Sequence, residues 1–409
     1  MSTPNATLPA KDPAYAWVMV AVVFVISALA FGTLGSVSVF LKPLSAEFGW
    51  GRGETSLGYT AISLSSAVFG ILWGIIADKY GTRSFGIISA VIMAFALYML
   101  SLQTSIAEFY AFYFLFGAFG TSMATTPLYA NVAFWFRHKP GLALGIATAG
   151  GAFGQAVVPY LSGLGIESLG WRQTYVWTAV SYLCIAFPCG FLVRESPWRM
   201  TQSKTAESDE RTFPLSELEA VIWISVAVIF CCNCMAVPIV HLVPLLTDDG
   251  YTLESAARAL LVLMLAGCFG RIMGGKLCDI IGPLPAYMAM SLGQTISVFW
   301  FPHVEGLAAL YSLAIFFGFF YSGVMSSIMV CTRMMVSGRF AARAMSVTSF
   351  FGWLGMGLGG FMGGYLFDQT GSYFWSYTFA AVAGCINLTV LGLFQARAKR
   401  HQLATVNLT

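Results

Sequence analysis

Arg271 is the only basic residue that falls deep inside an apolar segment of this 409-residue chain. A fixed cation at bilayer depth is costly and is retained where it faces a cavity or a partner. The guanidinium keeps its charge and presents a planar fork of donors suited to a carboxylate, so the residue type predicts an anion-binding site. Arg271 precedes Asp279 by eight residues; at a rise of about 1.5 Å per residue it lies roughly 12 Å inward from a helix end, close to the membrane midplane. A structural salt bridge is the competing reading, yet no Asp or Glu occurs at comparable depth in any predicted helix. Backbone carbonyls, hydroxyls or water remain as alternative partners.

His241, within Pro238-Ile-Val-His241-Leu-Val-Pro244, is the other titratable group at depth. Imidazole titrates near neutrality and can carry a proton or donate a hydrogen bond to substrate. Its place toward the outer end of its helix favours a structural or gating role over proton coupling. Ser36, Tyr129, Asn131, Gln155, Asn233 and Tyr321 complete the polar candidates for substrate contact, and interhelical hydrogen bonding explains each of them equally well. Aromatic residues such as Phe316, Phe350 and Trp353 crowd the same region; most read as lipid-facing or core, and if a few line the pocket the substrate has an apolar body beside its carboxylate.

Positioning such groups requires helices that cross a membrane. Apolar residues make up 58% of the chain and charged ones 10%, and the mean hydropathy of +0.76 lies far outside the range of soluble globular proteins. Twelve segments have the length to span a hydrocarbon core as helices: 15–41, 56–77, 84–105, 107–136, 141–166, 173–193, 218–246, 255–276, 284–302, 306–332, 343–367 and 373–395. The polar stretch 194–217 divides them into two six-helix bundles, 15–193 and 218–395, flanked by tails 1–14 and 396–409. With both termini placed in the cytoplasm, sixteen Lys and Arg fall on that side against four, Lys42, Arg52, Arg172 and Arg258, on the other, as cytoplasmic retention of positive loops requires. The first apolar segment reads as a retained helix, since no basic run and cleavage site precede it.

Small residues and prolines mark where helices touch or bend. Gly145, Gly150 and Gly154 in the fifth segment, and Gly355, Gly359 and Gly363 beside Gly360 and Gly364 in the eleventh, form packing faces that allow close backbone approach in lipid. Pro127, Pro159, Pro238 and Pro244 each remove a helix hydrogen bond, and a static bend or a moving kink explains each of them. The nine cysteines fall in or beside helices and read as small buried hydrophobes. Cys231-Cys232-Asn233-Cys234 has no companion ligands, so no metal and no cofactor is expected.

Each half repeats one loop feature. Gly74-Ile-Ile-Ala-Asp78-Lys-Tyr-Gly81-Thr-Arg83 has its counterpart in Gly275-Lys-Leu-Cys-Asp279-Ile-Ile-Gly282, the mark of internal duplication. A carboxylate at such a helix end either caps backbone donors or pairs with an Arg across the bundle interface and biases which side is open. Over nearly its full length the chain resembles a major facilitator superfamily transporter, whose loop motif the Gly74–Arg83 run matches; the second copy lacks the closing Arg. A finer resemblance is to the monocarboxylate transporter family. Asp12, Ala16 and Trp17 match part of its first signature, and Trp135 to Gly150 matches the second more fully.

That resemblance implies a secondary active transporter in the cell membrane, plasma or bacterial inner, with an all-α fold of twelve transmembrane helices. Arg271 is then the residue that binds the substrate carboxylate, and Gly74, Asp78, Gly81, Arg83, Gly275 and Asp279 form the gating motif, while His241, Tyr129, Asn131, Gln155, Tyr321 and Ser36 stay candidates for substrate contact by their polarity at depth. The expected partners are a small organic anion, protons and membrane lipid, with no nucleic acid. The family's helix 1 Lys and the Asp before the Arg, both tied to proton coupling, are replaced here by Gly35 and Gly267. Related oxalate exchangers carry a second cation on helix 11, absent between Ser346 and Asp368, so a single buried cation favours a monocarboxylate. A membrane enzyme would need clustered acid, base or metal groups, which this chain lacks. Exchange or efflux of another small molecule, and a transporter-like sensor, stay as alternative readings.

Overall fold

A computed structural model describes residues 13–136, 140–196 and 213–406. The described residues are helical, with no strand among them, and twelve helical elements follow in chain order: α1 Ala14–Phe48, α2 Arg52–Tyr80, α3 Phe85–Leu102, an interrupted α4, α5 Pro140–Leu169, α6 Trp171–Phe191, α7 Glu217–Asp248, α8 Leu253–Ile281, α9 Pro283–Val298, α10 Leu307–Met334, α11 Gly338–Thr370 and α12 Tyr373–Val406. Among the described residues nine of these are individually long and apolar enough to cross a membrane. Of the others, α9 has only sixteen residues and α4 is broken into short pieces. Residues 1–12, which include Asp12 of the first signature, and 197–212 of the interdomain stretch lie outside the described residues, as do Arg137 and Lys139.

The two halves repeat one packing scheme. In the first, α1 packs on α5, α2 on α4 and α3 on α6; in the second, α7 packs on α11, α8 on α10 and α9 on α12. Glycine makes the closest of these approaches. A Cβ on Gly154 of α5 would lie 1.7 Å from the Ala28 carbonyl oxygen of α1, and one on Gly270 of α8 would lie 1.9 Å from the Phe319 carbonyl oxygen of α10. The rows on α11 divide their work. Gly355, Gly359 and Gly363 face α7 in their own bundle, whereas Gly357 and Gly364 meet Thr60 and Arg52 of α2 in the other. Between bundles the principal contacts are α2 with α11 and α5 with α8.

Sequence reasoning expected α4 to be continuous over 107–136 with a bend at Pro127. The helix is instead built of Ile106–Leu115, a π-helical turn Phe116–Thr121, Ser122–Ala124 and Thr126–Trp135. The break falls at Thr125, at φ −115° and ψ −80°. Pro127 has no N–H to offer the preceding turn and its ring crowds that turn, and one extra residue is absorbed in the π-turn just before it. The new segment restarts when the Tyr129 amide donates to the Thr125 carbonyl at 2.8 Å, which aims Tyr129 toward the middle of the molecule.

Candidate anion site and the closed end

At the centre, Arg271 on α8 reaches across the bundle interface. One guanidinium nitrogen donates to the Thr148 carbonyl of α5 at 3.4 Å, while Nε is buried without a hydrogen-bond partner. Its charge acts on the hydroxyls of Tyr129 from α4 and Tyr321 from α10 and on the Cys268 thiol one turn earlier on α8. Tyr321 in turn neighbours Tyr59 of α2. Every described Asp and Glu side chain lies within three residues of a helix end or outside the helices, so the structure supplies Arg271 with no carboxylate at its own depth. An unfilled, buried donor on a half-buried cation beside two phenols is chemically a donor site for an anion.

Of the sequence-predicted substrate contacts, only Tyr129 and Tyr321 gather around Arg271. Asn131 is a structural tie: its side-chain nitrogen donates to the Arg194 carbonyl at 2.8 Å, and its oxygen accepts from the Ser196 amide at 3.1 Å. Ser36 donates back to the Gly32 carbonyl and lines a water-sized void inside the first bundle with Thr33, Tyr113 and Tyr175. Gln155 is buried against Gly35 of α1. Asn233 donates to the Ile229 carbonyl of its own helix. His241 is wholly buried, with Nε2 at 2.7 Å from the Gly360 carbonyl and Nδ1 at 3.4 Å from the Tyr373 hydroxyl. Periodicity on one helix cannot tell a side chain facing the interface from one facing its own bundle, and each of these five has its described partners in its own half. Ser27, missed in the sequence, sits beside Tyr129 and donates to the Ala147 carbonyl.

The duplicated loop motif occupies the end of the molecule at which α1 begins and α12 ends. Gly81 and Gly282 turn their chains at φ +85° and +91°, conformations that favour glycine, so the duplicated motif is realised as a duplicated turn. Glu195 clamps the first turn through the Thr82 amide and its hydroxyl at 2.8 Å. Arg83 and Asp279 are exposed, and nothing approaches within 4 Å of where a Cβ on Gly74 or Gly275 would stand. The Asp78 side chain lies outside the described residues.

Among the described residues, the ion pairs between bundles lie at the opposite end. Arg52, at the start of α2, forms a bidentate pair with Asp248 at the end of α7 and donates to the Tyr373 hydroxyl at 2.9 Å. The same guanidinium stacks over the Phe367 ring at 3.8 Å. Lys42 of α1 shares Asp248 at 3.0 Å. Two carboxylates also cap helix starts across the interface. Asp368 of α11 accepts from the Arg52 and Gly53 amides at 2.8 and 2.7 Å, and Glu167 of α5 accepts from the Glu254 amide of α8 at 2.9 Å. Since α5 corresponds to α11 and α2 to α8, the caps are one device used twice, each satisfying orphan donors at a positive helix end.

This architecture is matched by relatives. The family model of the Major Facilitator Superfamily matches residues 23–332, and the chain belongs to that superfamily of transporters. The Monocarboxylate transporter 13 of Rattus norvegicus is 27% identical over 395 residues, covering 93% of this chain and 89% of that protein. The Aspyridones efflux protein apdF of Emericella nidulans is 24% identical over 258 residues, covering 62% and 51%. A bacterial homologue of the human lysosomal transporter Spinster, solved inward-facing and unoccupied, superposes with a TM-score of 0.75 at 17% identity, over 96% of this chain and 99% of that one.

Proposed function

We propose that this membrane transporter moves a small organic anion, a monocarboxylate, by alternating access, with Arg271 as the group that binds its carboxylate. The observation that carries this reading is a half-buried guanidinium whose Nε is buried and unpartnered, flanked by Tyr129 and Tyr321 and lacking any carboxylate at its depth among the described residues. An ionised substrate supplies the missing acceptor, and the two phenols offer further hydrogen bonds. The relative named for monocarboxylates supports the substrate class. The charge distribution supports a cytoplasmic location for the end that carries the loop motif, so the contacts around Arg52 hold the bundles together at the outer face. We divide the chain into the bundles 15–193 and 218–395, joined by 194–217.

Proton coupling runs through the substrate carboxylate, through His241 or through water. Both ring nitrogens of His241 face partners, which supports a role in tuning the pH dependence rather than in carrying every proton. Uptake into proteoliposomes tests the reading. Short aliphatic, keto and aromatic monocarboxylates are compared with their neutral amides, with and without a pH gradient, for the parent and His241→Gln. Accumulation of acids but not amides is expected, driven by the gradient and with a shifted pH profile in the variant. Equal uptake of acids and amides would remove the anion reading, and no accumulation under the gradient would remove symport.

A further inference from the structure

Beside the ion pairs at the closed end lies a cleft of about 210 Å³ between α1, α7 and α8, lined by Ser38, Lys42, Pro43, Val243, Pro244 and Thr247 among others. It straddles the bundle interface, since α1 belongs to one bundle and α7 and α8 to the other. Its hydroxyls are engaged within their own helices: Ser38 donates to Gly35 and Thr247 to Pro244. The walls are otherwise apolar, and the ammonium of Lys42 is the group at the rim with donors to spare. That side chain is 42% exposed and gives one contact to Asp248, leaving two of its three N–H groups for another acceptor. Asp248 itself serves two cations, Lys42 and Arg52, with one carboxylate.

We infer that this cleft is a capture site for a small amphipathic carboxylate, whose apolar body fills the cleft while its carboxylate takes Lys42 in exchange with Asp248. The internal carboxylate already demonstrates the chemistry, because Asp248 occupies both cations as an anionic ligand would. The volume is below the roughly 300 Å³ at which pockets for drug-sized ligands begin, which fits a short aliphatic or single-ring acid. Displacing Asp248 from Lys42 also loosens one of the contacts that join α1 to α7. Ligand arrival is thereby linked to release of the closed end, through preference of the ligand for the loosened arrangement. The choice of a carboxylate rests on the function proposed above; the site itself rests on the cleft and its cations.

The test is equilibrium binding of 4-fluorobenzoate to the purified full-length protein, followed by fluorine NMR, in an Arg271→Lys background that weakens the central site. Lys42→Gln is expected to weaken binding by about threefold or more, and Lys42→Arg to preserve it. Asp248→Asn removes the internal competitor and is expected to tighten binding by about threefold, a gain that misfolding cannot produce. Acetate, too small to fill the cleft, should compete poorly. Binding indifferent to Lys42, or weakened by Asp248→Asn, would overturn the capture site. Absence of all binding in the Arg271→Lys background would overturn it while leaving the central reading intact. Lys42-dependent binding alongside normal uptake by Arg271→Lys would keep the capture site and remove the central one.

Discussion

Tyr321 shows what a single residue contributes and how far its role can be read from type alone. A phenol deep in a membrane helix is equally a helix tie or a ligand contact, and only the meeting of α8 with α10 sets it beside Arg271. Tyr321→Phe is therefore expected to weaken carboxylate binding about tenfold, the worth of one hydrogen bond to a charged group, with the melting temperature nearly unchanged. Isothermal titration of the purified protein checks it, and unaltered affinity would place Tyr321 in the packing. At the closed end, Asp249 lies just beyond α7. Burial, and after it the charge of Asp248, hold its carboxyl above the usual carboxylate range. A carboxyl raised in the folded state contributes stability as the pH falls through that range and loses it as the pH rises. Protonation of Asp248 acts the other way by dissolving its pairs with Lys42 and Arg52. Thermal unfolding measured against pH should show a gain in mild acid for the parent that Asp249→Asn lacks; identical profiles would contradict it. Arg271 was legible in the sequence because a lone buried cation stands out by type. The inward-facing placements of Asn131 and Ser36 were not, because helix rotation is set by neighbours far away in the chain.

At the scale of elements, the helices and the loop repeat follow from hydropathy and glycine spacing, whereas the break in α4 and the crossed carboxylate caps do not. The π-turn over Phe116–Thr121 needs the close approach of Gly117 to Ser65 and Ile62 of α2, which no local pattern displays. Glu167 and Asp368 sit at helix C-termini, where a carboxylate is unfavourable to its own helix. Their value appears only when the start of α8 or α2 is brought against them. Close packing gives the sharper test. Gly154→Ala forces a methyl into the Ala28 carbonyl and should destabilise by about 1–3 kcal/mol. Gly145→Ala, with nothing within 4 Å of the added Cβ, should be neutral or stabilising by about 0.5–1 kcal/mol through helix propensity. Thermal unfolding in detergent distinguishes the two, and equal effects would contradict the assigned α1–α5 contact.

For the whole molecule, the described ion pairs that join the bundles at the Arg52 end make one state of a carrier that must visit its mirror. Closure at the Arg52 end depends on one cation held by α7, α11 and α12 together. Arg52 is only 13% exposed in its side chain, and its removal leaves Asp248 with one partner and strips the Tyr373 and Phe367 contacts from the closed end. Arg52→Ala should accordingly lengthen spin-label distances measured between α2 and α11 at that end, while a distribution identical to that of the parent would mean other contacts suffice. That motion has a purpose only if a substrate binds between the bundles, and the whole account turns on the guanidinium at their centre. Uptake of a radiolabelled monocarboxylate into proteoliposomes by the parent and by Arg271→Lys, matched for reconstituted protein and melting temperature, tests this most directly. Retained charge with a lost planar fork predicts a fall in transport on the order of tenfold or more, and uptake equal to that of the parent would contradict the assignment of Arg271 as the anion-binding group.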